Sequence, residues 1–229
     1  MRGWRWATDI SMKPTWALAI GMQLLVSGET VTFDKRQAGG APPDWTIGMT
    51  HDGGAPKWEV IADPSAPSKP NVLAQTSTDN TSGRFPLAIY NKATFADGVV
   101  SVRFKPVAGE RDQAAGIVWR YRDVNNYYIV RANALENNVV LYKVEAGNRI
   151  SLEPKGTPSK TYGVKHRVPP GVWSTLEVRF AGPQFAVFFD GEKIMDVEDA
   201  TFPAAGRMGL WTKADSVIYF DDFQVERNK

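Results

Sequence analysis

The stretch Trp173–Val197, WSTLEVRFAGPQFAVFFDGEKIMDV, alternates apolar and polar residues over three short segments that are separated by two tight turns. Alternation with a period of two is typical of strands that bury one face. Asp190-Gly191 stands between the second and third segments. An Asp-Gly pair favours a two-residue hairpin turn, because both central residues of that turn need positive φ. The stretch therefore predicts three consecutive antiparallel strands.

The same pattern recurs along the chain from Glu29 onward, with short runs of β-branched and aromatic residues between turn residues and no long helical periodicity. The predicted strands are Thr30–Phe33, Trp58–Ala62, Val72–Thr76, Leu87–Tyr90, Gly98–Phe104, Ala115–Tyr121, Tyr127–Ala132, Val139–Val144, Arg149–Leu152, Ser174–Phe180, Phe185–Phe189, Lys193–Val197, Arg207–Thr212 and Val217–Val225. Many short strands without crossover helices indicate antiparallel sheets. We therefore predict one all-β domain over residues 29–229, a two-sheet antiparallel sandwich. Gln37–Pro70 is interpreted mainly as a loop around Trp45.

Residues 1–28 have the features of a secretory signal peptide. Met12-Lys13 precedes the apolar run Trp16–Val26, and the small residues Ser27-Gly28 follow it. The run is shorter than the about 20 apolar residues of an ordinary transmembrane helix. We expect cleavage near Gly28, no stable membrane insertion afterwards, and a periplasmic or extracellular protein whose translation starts at Met1 or Met12.

Composition excludes several function classes. Removal of residues 1–28 takes away three of the 27 basic side chains and one of the 25 acidic ones, which leaves equal numbers. A neutral chain lacks the clustered basic excess that nucleic-acid binding needs, so no nucleic-acid partner is expected. The chain has no cysteine and therefore no disulfide framework. His51 and His166 have no neighbours at metal-ligand spacing, and we interpret both as loop histidines.

Strand parity predicts one cationic face, because successive side chains of a strand point to opposite sides and a buried side needs an apolar row. The apolar rows are Val100, Val102 and Phe104; Ile117, Trp119 and Tyr121; Tyr128, Val130 and Ala132; and Val140, Tyr142 and Val144. Tyr127 lies opposite its row. The cations that lie opposite these rows, on four successive strands, are Arg103, Arg120, Arg131 and Lys143.

Three segments resemble the concanavalin A-like lectin/glucanase superfamily, and most nearly the laminin-G-like jelly rolls that include the 3-keto-disaccharide hydrolase family. The first is Asp97–Asp123, DGVVSVRFKPVAGERDQAAGIVWRYRD, in which a Gly-Ile pair leads to Arg120 as it leads to an arginine in that family. The second is Trp173–Val197, and the third is Gly206–Val225, GRMGLWTKADSVIYFDDFQV.

The resemblance implies a jelly roll with a concave face that receives sugar in related proteins. We therefore expect an exported carbohydrate-binding protein, with a carbohydrate as its partner and a monomeric state. Arginine suits this role because its rigid fork donates paired hydrogen bonds to hydroxyl and carboxylate oxygens. The residues predicted to bind sugar are Arg103, Arg120, Tyr127, Arg131, Lys143 and Trp45, the last because it stands in a predicted Pro-Gly loop.

Two alternatives remain open at this point. The first is a glycoside-cleaving enzyme similar to the 3-keto-disaccharide hydrolases, although the chain lacks the Glu-x-Asp-x-x-Glu string of the glucanases with this fold. Glu136 is the candidate acid or base, and its other interpretation is a turn residue that pairs with a nearby arginine. The second alternative is a protein-interaction module of the laminin-G type.

The last predicted strand contains a carboxylate, Asp221, within its apolar row. An inward carboxylate needs partners. It either accepts backbone N–H bonds or helps to hold a structural calcium ion together with Asp222, since calcium prefers oxygen ligands. No other cofactor is expected.

Overall fold

A computed structural model describes residue 1 and residues 28–228, and shows two antiparallel sheets that pack face to face. Residues 2–27, which hold nearly all of the predicted signal peptide, lie outside the described residues. The strands are β1 (Gly28–Val31), β2 (Trp45–Thr50), β3 (Trp58–Ala62), β4 (Asn71–Gln75), β5 (Phe85–Phe95), β6 (Gly98–Ala108), β7 (Ala114–Asp123), β8 (Asn126–Asn133), β9 (Asn138–Glu145), β10 (Asn148–Ser151), β11 (Val164–Lys165), β12 (Ser174–Ala181), β13 (Gln184–Phe189), β14 (Glu192–Glu198), β15 (Gly206–Thr212) and β16 (Val217–Arg227).

Each sheet contains eight strands. The first sheet has the order β14-β13-β12-β6-β16-β4-β3, and β1 pairs with β16. The second sheet has the order β10-β9-β8-β7-β15-β5-β2, and β11 pairs with β9. The predicted all-β jelly-roll sandwich is confirmed. The described residues contain no helix long and apolar enough to cross a bilayer.

The three strands predicted from Trp173–Val197 are β12, β13 and β14, which form consecutive hairpins at one edge of the first sheet. Asp190 and Gly191 have φ values of 48° and 83°, as the predicted two-residue turn requires. The register places apolar side chains opposite one another on the inner face. These are Leu176, Val178, Phe180, Phe185, Val187 and Phe189.

The core lies between the sheets and is rich in aromatic rings from both of them. Trp119 of the second sheet stacks on Tyr128 with ring centroids 5.4 Å apart. It also meets the edge of Phe185 of the first sheet, with ring centroids at 5.3 Å. Full burial of one large apolar side chain stabilises the fold by about 1.5–3 kcal/mol, so these contacts hold the sheets together without disulfide bonds.

Strand parity is confirmed for β6 and β8, whose predicted inward rows lie in the core between the sheets. In β7, the prediction is wrong after Trp119, because Arg120 has a φ of 48° and a bulge shifts the register before Asp123. A bulge inserts one extra residue and reverses the alternation that follows it. Tyr121 therefore faces outward instead of into the core.

In β9, the predicted faces are reversed. Val139 and Leu141 lie in the core between the sheets, whereas Val140, Tyr142 and Val144 face outward. Both rows of this strand are apolar and buried. Alternation therefore could not show which row faces the core.

The region Gln37–Pro70, interpreted mainly as a loop, contains the strand β2, which pairs along its whole length with β5. Trp45 opens this strand and is buried against Tyr90 and Phe223, with ring centroids 5.2 and 5.1 Å away. The prediction of a loop tryptophan is therefore wrong. Trp45 belongs to the core and is not available to contact a ligand.

Candidate functional site

The outer face of the second sheet carries an apolar cluster that is buried although it lies outside the sandwich. We call it the outer-face cluster. Its members come from β5, β7, β8, β9 and β15, and none comes from the first sheet. They are Phe85, Leu87, Ile89, Ala114, Val118, Tyr121, Tyr127, Ile129, Val140, Tyr142, Val144 and Trp211. Because an open outer face would be wet, other parts of the chain must cover it, and the polar groups among them are candidates for a site.

Arg131 projects from β8 onto this outer face and is only 2% exposed. Its Nη2 donates to Glu136 Oε2 at 2.7 Å and to the hydroxyls of Tyr142 and Tyr162, each at 3.1 Å. Its Nη1 donates to Asn138 Oδ1. All four partners are side chains, so the guanidinium organises a polar cluster and does not fasten the backbone.

This polar cluster reaches solvent through Glu136 and Tyr162, whose exposed fractions are 40% and 49%. Burial opposes ionisation of Glu136, but the charge and hydrogen bonds of Arg131, together with a bond from Asn138, outweigh it and lower the pKa of Glu136. Glu136 is therefore an ionised carboxylate at neutral pH. The predicted pairing with a nearby arginine is what the structure shows, and a catalytic role remains a proposal.

Arg149, on β10, contacts the aromatic part of the outer-face cluster. Its guanidinium carbon is 4.5 Å from the ring centroid of Tyr142, 4.9 Å from that of Phe85 and 5.9 Å from that of Trp211. Such contacts with aromatic faces attract a cation. Within residues 28–228, Nη1 of Arg149 is covered and has no hydrogen-bond partner.

A glycine on β7 leaves space for side chains of the outer-face cluster. Gly116 of β7 pairs with Arg131 on one side and Trp211 on the other. A Cβ at this position would come within 2.8 Å of Ile129 and 3.3 Å of the Trp211 ring. Any larger residue at this position would push these neighbours outward into the space above the sheet.

A second charged pair borders the same end of the sheet. Lys213 Nζ lies 2.6 Å from Asp112 Oδ2, and Asp112 also accepts a bond of 2.8 Å from Asn133. The positive charge of Lys213 contributes to the low pKa of Glu136, which shows that the two pairs are electrostatic neighbours. This end of the outer face therefore combines two ion pairs, and the ring of Tyr142 links them to Arg149.

Arg120 lies outside this site. It is 1% exposed and is stacked on Phe180 and Phe185 at the end of the core between the sheets. It donates to the carbonyl oxygens of Ala96, Phe202 and Gly182 at 2.7–2.9 Å, and to Asp97 at 3.2 Å. The predicted outward orientation is wrong because the bulge in β7 turns this side chain away from the outer face.

The single face predicted for Arg103, Arg120, Arg131 and Lys143 does not form. Arg103 lies on β6, which belongs to the first sheet although it directly precedes β7, so its exposed side chain is on the other outer face of the molecule. Lys143 follows the inner row of β9 and donates to Thr201 at 2.8 Å. Of the four cations, only Arg131 occupies the outer face of the second sheet.

Tyr127 lies on the predicted outer face but is fully buried in it. Its hydroxyl is 2.8 Å from Thr50 Oγ1, and Thr50 in turn donates to the carbonyl oxygen of Val124. Burial raises the pKa of Tyr127 far above the usual range of a phenol. Tyr127 therefore belongs to the buried outer-face cluster and is not available to contact a ligand.

Asp221 is fully buried and hydrogen-bonded. It accepts from the backbone N–H and the hydroxyl of Ser68, both at 2.8 Å, and from the backbone N–H of Asp222 at 2.8 Å. Among residues 28–228, no group of three or more His, Cys, Asp or Glu side chains is placed to hold a metal ion. The interpretation of Asp221 as a carboxylate that accepts protein hydrogen bonds therefore agrees with its contacts.

Sequence reasoning missed Arg149, Tyr142 and Tyr162. The strand that contains Arg149 was predicted. The face on which Arg149 lies follows from the pairing of β10 with β9, and both rows of β9 are apolar, so alternation could not show this face. Tyr162 lies in the connection between β10 and β11, where no periodicity applies. A useful signal was present in Glu136 and Arg131, which are five residues apart on either side of a predicted turn.

A cavity of about 460 Å³ lies on the outer face of the first sheet, at the hairpin of β12 and β13. The cations that line it are already neutralised. Lys155 pairs with Glu198 at 2.7 Å, and Arg179 pairs with Glu177 at 2.6 Å. We place the candidate site on the second sheet, where aromatic rings, a half-exposed carboxylate and an unpaired cation come together.

The family model of the 3-keto-alpha-glucoside-1,2-lyase-like domain matches residues 29–226 of this chain. The chain belongs to this family. The resemblance inferred from the three sequence segments is thereby confirmed. Comparison with curated protein sequences finds no match.

Several solved structures share the fold. The carbohydrate binding module CBM66 from Bacillus subtilis superposes with a TM-score of 0.58 at 17% identity, over 79% of this chain and 94% of that one. The cellulose induced protein Cip1 gives 0.55 at 12% identity, over 80% and 90%. The exoplasmic/lumenal domain of VIP36, in its form bound to Ca²⁺ and Man3GlcNAc, gives 0.51 at 13% identity, over 82% and 85%. At these identities the likeness shows the fold alone.

Proposed function

We propose that the protein binds a carbohydrate on the outer face of the second sheet, where the cluster around the buried Arg131 reaches solvent through Glu136 and Tyr162. The observation that carries this proposal is a buried arginine whose partners are all side chains and whose cluster opens at a carboxylate and a phenol. Carboxylates and phenols exchange hydrogen bonds with sugar hydroxyls, and the exposed ring of Tyr162 can pack against the apolar face of a pyranose. The lectin and carbohydrate-module folds of similar structures support the same assignment.

In this proposal, Arg131 is a positioning residue. It fixes the Glu136 carboxylate and the Tyr162 hydroxyl at the mouth of the site, so that both groups are oriented before the sugar arrives. A binding group that is already held in place loses less conformational entropy when the ligand binds. The predicted periplasmic or extracellular location and the monomeric state remain part of the proposal.

A second candidate function is the cleavage of a 3-keto-α-glucoside by elimination, which the family membership and the ionised Glu136 favour. The ketone at C3 acidifies the C2–H bond. Glu136 would take the C2 proton, the C1–C2 double bond would form, and the C1–O bond would break as the alcohol leaves with a proton. The reaction consumes no water, oxidant or reductant. General base catalysis by a positioned carboxylate contributes about 10²–10⁴-fold to the rate of such a step.

Calorimetric titration of the purified protein with methyl 3-keto-α-D-glucoside and with methyl α-D-glucoside tests the binding proposal. We expect saturable binding that Arg131→Lys weakens, because a lysine cannot donate to four side chains at once. Arg103→Lys is the matched control, since Arg103 is an exposed arginine on the opposite outer face. Binding that both variants reduce equally, or no binding at all, would reject the proposal.

The second candidate is tested by the appearance of the conjugated ketone product, which absorbs ultraviolet light, from a 3-keto-α-glucoside. We expect Glu136→Gln to keep the sugar affinity within about threefold and to lower turnover by about 10²–10⁴-fold, because it keeps the shape of the side chain and removes the base. Turnover by Glu136→Gln at the rate of the unchanged protein would exclude Glu136 as the base.

A further inference from the structure

Among the described residues, the guanidinium of Arg149 has no counter-ion, and this distinguishes it from Arg131 and Lys213. Arg131 pairs with Glu136 at 2.7 Å, and Lys213 pairs with Asp112 at 2.6 Å. No Asp or Glu side chain among the described residues lies within ion-pair distance of Arg149. No described side chain or backbone oxygen accepts from its Nη1.

An arginine in this position should have acceptors. Buried polar atoms in folded proteins are nearly always hydrogen-bonded, so a covered N–H group without a partner needs its own explanation. A charged group is also expensive to remove from water unless a partner compensates it. The rings of Phe85, Tyr142 and Trp211 attract the cation from one side but accept none of its directed N–H bonds.

The ring contacts also restrict where the guanidinium can lie. Its carbon is between 4.5 and 5.9 Å from three ring centroids, so the cation is held beside the aromatic side chains of the outer-face cluster. The guanidinium of Arg131 contacts one of the same rings, with its carbon 5.8 Å from the Tyr142 centroid. Because Arg131 and Arg149 both contact Tyr142, a sugar held at Glu136 and Tyr162 lies near Arg149.

We propose that Arg149 is the subsite for a negatively charged oxygen of the bound sugar. This inference rests on the proposed sugar binding at Arg131 and Glu136. The negative oxygen has two chemical sources. It belongs to a carboxylate that the sugar already carries, as in a uronic acid, or it is the C3 enolate oxygen that forms when Glu136 removes the C2 proton of a 3-keto sugar. Either oxygen would complete the ion pair that the protein leaves open.

The first arm of the test measures ground-state charge. The dissociation constants of methyl α-D-glucuronide and methyl α-D-glucoside are compared by calorimetry for the full protein and for Arg149→Gln. If the sugar carries the charge, the glucuronide binds about tenfold to a hundredfold more tightly than the glucoside, as one charge-assisted hydrogen bond implies, and Arg149→Gln removes this preference.

The second arm measures charge that develops during reaction. The exchange of the C2 proton of methyl 3-keto-α-D-glucoside with deuterium from the solvent is followed by NMR. If the enolate is the source, the two methyl glycosides of the first arm bind alike. Arg149→Gln then slows exchange at saturating sugar by about a hundredfold, as the loss of one oxyanion donor does, and leaves the concentration for half-saturation within about threefold.

Two further variants keep the test decisive. Arg179→Gln is the matched control, because Arg179 also stacks on a ring, that of Phe188 at 4.2 Å, but on the first sheet. Arg149→Lys keeps the positive charge and should retain part of the glucuronide preference or of the exchange rate, even if Arg149→Gln folds poorly in a thermal unfolding control.

The outcomes distinguish failure of the Arg149 assignment from failure of the proposed sugar site. If the unchanged protein binds sugar or exchanges the C2 proton and both Arg149 variants behave like it, the assignment of Arg149 is overturned and the proposed sugar site stands. If the unchanged protein neither binds sugar nor exchanges the proton, both the site and the role of Arg149 are rejected.

Discussion

Arg120 and Arg131 lie on neighbouring strands of one sheet and are almost equally buried, at 1% and 2% exposure, yet their surroundings differ in kind. Three of the four acceptors of Arg120 are backbone carbonyls, from three separate connections at the end of the sandwich. All four acceptors of Arg131 are side chains, two of which reach solvent.

The comparison teaches how to interpret a buried arginine. Backbone carbonyl oxygens in loops receive no hydrogen bonds from secondary structure. A guanidinium that donates to them supplies these bonds and therefore stabilises the loops. A guanidinium that orients a carboxylate and a phenol at an opening organises a surface for ligands. Burial alone, or the strand that carries the residue, does not separate the two cases.

The largest effect is expected for Arg120→Ala. It leaves the carbonyl oxygens of Ala96, Phe202 and Gly182 without their donor and removes a side chain that packs on two core rings. Orphaned buried acceptors cost about 1–3 kcal/mol each, and partial access of water reduces the sum, so we expect a loss of about 3–5 kcal/mol. Urea unfolding measures it. A loss below about 1 kcal/mol would contradict a structural role for Arg120.

The next effect is that of Arg131→Lys on sugar binding. The lysine keeps the charge but cannot hold Glu136, Tyr142, Tyr162 and Asn138 together, so we expect about a hundredfold weaker binding, which corresponds to about 2.7 kcal/mol. Its free energy of unfolding should fall by only about 1 kcal/mol, because Glu136 remains solvated. If Arg131→Lys lost as much stability as Arg120→Ala and kept its affinity, the comparison would be reversed.

The pH dependence of stability tests the contribution of the ion pair between Arg131 and Glu136. The pKa of Glu136 lies below its ordinary value of 4.5, so its ion pair contributes stability above pH 4.5, and this contribution is lost as the pH falls through the lower value in the folded protein. For a half-exposed pair, we expect about 0.5–1 kcal/mol. Unfolding curves from pH 7 to pH 3 should show the unchanged protein converging with Glu136→Gln in acid. Parallel curves would show that the pair adds no stability.

The smallest effect on stability is expected for Tyr162→Phe. This change removes one acceptor of Arg131 and one hydroxyl at the mouth of the site. Since half of the side chain is exposed, the free energy of unfolding should change by less than about 0.5 kcal/mol. Sugar affinity should fall about threefold to tenfold, as for the loss of one neutral hydrogen bond. Unchanged affinity in calorimetry would place the sugar away from Tyr162.

Much of the fold could be predicted from the sequence because several strands, above all β12, β13 and β14, bury one face and leave the other more exposed. The alternation in Trp173–Val197 and the Asp190-Gly191 turn fixed three strands and their order, and the family resemblance held over nearly the whole described chain. Strand β2 was missed because it lies within a segment rich in glycine and proline. The burial of Trp45 depends on the pairing of β2 with β5, and the local sequence does not show this pairing.

The site was less predictable, and the reasons are local. The bulge at Arg120 reversed the faces after Trp119, and alternation cannot reveal a residue whose φ is positive. In β9, both faces are buried, so its apolar rows could not be told apart. The step from β6 to β7 changes sheets, and this places Arg103 of β6 and Arg131 of β8 on different sheets.

The most direct test of the central claim is a crystal structure of Glu136→Gln with methyl 3-keto-α-D-glucoside bound. We expect sugar density on the outer face of the second sheet, in contact with Tyr162 and position 136 and with an oxygen directed at Arg149. Density instead in the cavity beside Arg179 on the first sheet, with the outer face of the second sheet empty, would contradict it.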